Sequence, residues 1–151
     1  MNDAPDASKN LVASANLVIE ASPAKVWRSL TEPEAIRHYM MGAEVKSQWQ
    51  VGSEITWSGE MKGKPYQDKG EILAFDRERE LAYTHFSPLA GKPDRPENCH
   101  RVTIRLEGAG GGTRVTLTQD NNPDARAQAE SEKNWKAMLS GLKDYVEGRA
   151  A

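Results

Sequence analysis

Of the three histidines, His38, His85 and His100, the last two could carry proton transfer near neutral pH. His100 shares the parity of Val102, Ile104 and Leu106, and His85 shares that of Leu81 and Tyr83. By strand alternation both therefore point with apolar neighbours toward one face. Two readings stay open for each: an acid or base group, or a hydrogen-bonded polar side chain at a cavity rim. Asn98 and Gln119 fall on the same inward parity at strand ends, and a few polar groups among aromatic side chains suit a small-molecule pocket.

Other chemistries find no support. No His-x-His or His-Glu-x-x-His pair is present, and Cys99 and His100, adjacent on a strand, point to opposite faces, so neither a metal nor a cofactor is expected. The glycines at 108–112 lead into a strand rather than a helix, which makes them a hairpin and not a phosphate loop. No Gly-x-Ser-x-Gly elbow exists, and no catalytic residue is assigned.

The elements that must hold these residues read in order along the chain. Leu11 to Glu20 alternates as a strand. Ser22 then caps a short helix with Pro23 at its first position and Val26, Trp27 and Leu30 on its apolar face. Thr31 and Glu34 have capping-box spacing for a second short helix burying Ala35, Ile36 and Tyr39. Strands are expected at Glu44 to Gln48, Glu54 to Met61, Tyr66 to Asp76, Glu80 to Ser87, Asn98 to Glu107 and Thr113 to Gln119. The segment from Pro88 to Pro96 is too long for a tight turn and could cover a cavity mouth. From Asn122-Pro123-Asp124 to a stop at Gly148 runs one long helix, with Trp135, Met138, Leu139, Leu142, Tyr145 and Val146 on one stripe. Trp57 and Trp135 are expected to meet between that helix and the sheet.

Consecutive strands without intervening helices argue for an antiparallel sheet and an α+β class. The chain of 151 residues suits one domain, residues 11–151, behind a disordered leader, residues 1–10. Its net charge of −2 is no nucleic-acid footprint, and no apolar run approaches the roughly 20 residues of a membrane span. An acidic start without an apolar core and a single cysteine fit a cytoplasmic setting.

Several stretches together resemble a known family. Residues 19–27, Ile-Glu-Ala-Ser-Pro-Ala-Lys-Val-Trp, are similar to the opening strand–helix signature of the START-like (Bet v 1-like, SRPBCC) superfamily. Residues 49–57 resemble its glycine turn into an aromatic strand, and 70–76 with 80–85 resemble its next hairpin. Residues 113–118 and 135–143 complete the likeness, which extends over about residues 11–147 and is nearest the AHSA1-like branch related to the Hsp90 ATPase activator. The resemblance implies a helix-grip fold, in which about seven strands wrap a long C-terminal helix, and a cavity for lipids, polyketides or aromatic molecules. It leaves three activities open: ligand binding, a cyclase or hydratase reaction using a cavity histidine, or a chaperone or stress-related interaction as monomer or homodimer. The expected cavity wall is Trp57, Tyr83, His85, Asn98, His100, Trp135, Met138 and Leu142. Relatives often carry tryptophan at the position of His85, so this pocket is expected to be the more polar one.

Overall fold

The computed structural model describes residues 11–40, 42–87, 93 and 95–148; the expected leader, Met41 and most of the 88–94 segment lie outside them. Seven strands form one antiparallel sheet: β1 (Leu11–Ile19), β2 (Glu44–Ser47), β3 (Glu54–Met61), β4 (Lys64–Asp76), β5 (Glu80–His85), β6 (His100–Ala109) and β7 (Gly112–Asn122). Their spatial order is β1-β7-β6-β5-β4-β3-β2, so the chain's first and last strands pair and the rest is a meander. Two short helices, α1 (Pro23–Thr31) and α2 (Pro33–Tyr39), follow β1, and a long helix, α3 (Ala125–Val146), closes the chain. This is the helix-grip architecture.

Local chemistry sets most boundaries. The Ser22 hydroxyl accepts from the Lys25 amide and starts α1. The Asp124 carboxylate accepts from the Ala127 amide and starts α3, and Gly148 follows its end at φ +77°. The β6–β7 hairpin turns on Gly110 and Gly111, both at positive φ, tighter than the five-residue turn the sequence suggested. The expected capping box does not form. α1 continues through Thr31, whose hydroxyl donates back to the Trp27 carbonyl, and Glu32 precedes α2 without a side-chain cap. Pro33 already removes one amide that a cap would serve.

The core lies between the concave face of the sheet and the three helices. It includes Ile19, Val26, Ile55, Ile72, Val102, Val115, Leu117, Leu139 and Leu142, each nearly or fully buried. α3, about 33 Å long at roughly 1.5 Å per residue, buries Leu139, Leu142 and Val146 and lays its polar side chains along β1. Gln128 donates to the Val12 carbonyl, Glu132 accepts from the Ser14 amide, Lys143 donates to the Val18 carbonyl and Glu147 accepts from the Glu20 amide. These spacings keep four side chains on one flank of the helix. Among the described residues, no helix is long and apolar enough to cross a membrane.

Candidate functional site

β3, β5 and β6 turn alternate side chains toward α3, and a small apolar void lies there. It has a volume of about 20 Å³, room for about one water molecule. Trp57, Tyr83 and Met138 line it, together with Leu81, Ile104 and Met40. Trp49 adds a wall from the loop after β2, with its backbone at φ +56°, a costly conformation for a bulky residue. The Ser47 hydroxyl accepts from the Trp49 amide and fixes that turn. Leu142, expected in the wall, is wholly buried in the core beside this space.

At one end of the apolar region the concave face becomes polar. Trp57 stands against both Tyr83 and His85, with ring centroids 5.1 Å apart in each case. Asp68, opposite Trp57 in the β3–β4 register, places Oδ2 at 2.9 Å from His85 Nε2. His85 and His100 are direct partners across β5 and β6, and their nearly parallel rings lie 6.5 Å apart. His100 Nδ1 is 2.9 Å from the Asp120 carbonyl oxygen and 3.1 Å from Gln119 Nε2. The other end of the Gln119 amide accepts from the Trp135 indole of α3. Five side chains thus form a continuous row from β4 to the helix.

Burial sets the electrostatics. Desolvation pushes the Tyr83 phenol well above its ordinary range and does the same to Tyr39, which also donates to the Ser29 carbonyl. Both phenols are therefore neutral at ordinary pH. Asp68 Oδ1 is enclosed and has no hydrogen-bond partner among the described residues. No three His, Cys, Asp or Glu side chains among those residues are placed to hold a metal ion.

The expected residues separate into three groups. Trp57, Tyr83 and Met138 border the void, while His85, His100 and Trp135 belong to the polar row. Asn98 joins neither: it lies on a single 3₁₀ turn before β6, and its amide donates to the Pro93 carbonyl. β6 starts two residues later than the alternation suggested, because Pro96 cannot donate to a ladder and favours that turn. The expected Trp57–Trp135 contact does not form, since Tyr83 and His85 take one ring and Gln119 the other. His38 stands apart, on the outside of α2 against Tyr145.

Asp68 was missed by sequence reasoning. Its signal was a charged residue on the same parity as Gly70 and Ile72, on the inward face of β4. On the sheet's other face, a shallow groove of about 300 Å³ is lined by Glu54, Lys69, Glu71, Thr84, Phe86 and Cys99.

Comparison with known proteins agrees with this architecture. ChR145 from Cytophaga hutchinsonii, a solution structure, is 52% identical, with a TM-score of 0.82 over 92% of this chain and 95% of that one. The Aha1 dimer from Colwellia psychrerythraea is 19% identical with a TM-score of 0.73, covering 93% of this chain and 99% of that one. Ara h 8.0201 shares the fold at 13% identity and a TM-score of 0.73, over 92% and 99% of the two chains. No curated protein sequence matches the chain. The family model described as "Activator of Hsp90 ATPase homolog 1-like protein" matches residues 20–147, nearly the whole helix grip, and the chain belongs to that family.

Proposed function

We propose that the chain binds a small hydrophobic ligand, of lipid, polyketide or aromatic class, between the sheet and α3. One observation carries this reading: an aromatic and methionine-lined apolar region ends in a partly buried row of polar groups, the composition of a small-molecule site. A void of about 20 Å³ admits no such ligand unchanged. Met40 and Met138, both only half-buried, are the side chains whose rotation enlarges it, because an unbranched thioether repacks at small cost.

Native mass spectrometry of gently purified protein, followed by extraction, tests the proposal. A released compound of roughly a few hundred daltons is the expected result. A bare mass, together with no thermal shift across a broad panel of apolar compounds, counts against it. A ligand at a hundredfold excess over its Kd stabilises the fold by about 2.7 kcal/mol.

The Asp68–His85 pair favours a second reading, a cyclase or hydratase reaction. A carboxylate that orients an imidazole is the arrangement a general base uses. His85→Ala would then lower turnover by about 10² to 10⁴ without a matching loss of stability. An unchanged rate removes this reading.

A further inference from the structure

Hydrogen-bond accounting along the polar row specifies what the ligand's polar end must offer. The Asp68 carboxylate only accepts, so its 2.9 Å contact assigns a proton to His85 Nε2. In the neutral ring Nδ1 is then a bare acceptor, without a partner among the described residues. A backbone carbonyl also only accepts, so the 2.9 Å approach of Asp120 assigns the His100 proton to Nδ1 and leaves Nε2 as an acceptor.

The indole of Trp135 only donates, which orients the Gln119 amide with Oε1 toward α3 and its NH₂ toward His100. His100 Nδ1 already carries a proton, so the NH₂ group finds no acceptor there, although Gln119 is only 8% exposed. Two ring acceptors and one amide donor of this row thus remain available to a ligand. The histidines are only half-buried, whereas the Gln119 amide is buried, so an acceptor for its NH₂ is worth most.

We propose that this row recognises a neutral hydroxyl group on the apolar ligand and selects against a carboxylate. The inference rests on the ligand-binding reading and specifies the polar end of that ligand. A hydroxyl donates to one imidazole and accepts from the Gln119 amide, meeting both needs with a single atom. A carboxylate only accepts, sets its lone pairs against those of the imidazoles and adds negative charge beside Asp68. Trp57 touches both the apolar void and His85, so it joins the two halves of the site.

The test uses the full chain at pH 8 with three probes of one shape: 2-methylnaphthalene, 2-naphthol and 2-naphthoate. Titrations followed by NMR are expected to show 2-naphthol binding about tenfold tighter than 2-methylnaphthalene, the worth of one net hydrogen bond, and 2-naphthoate no tighter than the hydrocarbon. Gln119→Leu and His100→Phe are expected to erase the preference for the hydroxyl while retaining affinity for the hydrocarbon. Long-range ¹H–¹⁵N spectra of the unmodified free protein supply a check independent of any variant's folding. They are expected to show the proton on Nε2 of His85 and on Nδ1 of His100, and the opposite tautomer at either ring overturns the proposal. Tightest binding of 2-naphthoate overturns it too. Equal affinity for naphthol and hydrocarbon removes this inference and leaves the apolar site standing, whereas failure of all three probes removes both.

Discussion

Gln119 is the residue on which the site turns: its Oε1 accepts from Trp135 of α3 while its Nε2 lies 3.1 Å from His100 Nδ1. Trp135→Phe keeps most of the ring's packing but deprives a buried carbonyl oxygen of its donor, so it should cost about 1–3 kcal/mol in chemical denaturation. Replacing both residues, as Trp135→Phe with Gln119→Leu, should cost less than the two single changes summed, because no orphaned partner remains. The buried tyrosines make a separate prediction. Their native pKa values lie above the unfolded value of about 10, so the native state holds protons that the unfolded state releases. Stability is therefore full below about pH 10 and falls as pH rises beyond it. Tyr83→Phe should flatten that decline in denaturation curves taken at pH 9 to 11, and an unchanged slope would refute the assignment. The inward parity of His85 and His100 was legible because alternation needs only the residue's own strand. Asp68 and the Gln119–Trp135 bond depend on which strands lie side by side, and that information resides in register rather than in local pattern.

At the scale of elements, the seven strands and three α-helices of the described chain were legible in the sequence; the 3₁₀ turn before β6 was not, and several ends moved. Thr31 shows why: the spacing to Glu34 fits a capping box equally well whether or not the preceding helix has already ended. Gly70 marks a feature periodicity could not show. A Cβ placed there would lie 1.7 Å from the Thr84 carbonyl oxygen, beside the point where the Glu71 amide turns to the Thr84 hydroxyl. Gly70→Ala should force the two strands apart and cost about 2–4 kcal/mol, read as a lowered denaturation midpoint. The flank of α3 offers a further test. Lys143 bonds both the Val18 carbonyl and Glu147, whose own carboxylate holds the Glu20 amide. Lys143→Met should cost about 1–3 kcal/mol by denaturation, more than an exposed ion pair would, because the Glu147 side chain is only 5% exposed.

The whole molecule is a meander closed by its own ends. β1 pairs with β7 across most of the chain, as Leu11 opposite Asn122 shows. Contacts this distant in sequence make the sheet slow to complete, since loop closure must precede their reward. The two outermost strands of the completed sheet differ in one respect. β1 has three backbone groups, at Val12, Ser14 and Val18, occupied by α3 side chains, whereas among the described residues no side chain bonds to the backbone of β2. Among the described residues strand addition therefore has one open port, only four residues long and bearing Lys46. A protein with a single port has a valence of one. Two copies joined by their β2 strands would exhaust each other's capacity, and growth by sheet extension would end at the pair rather than continue into a fibre.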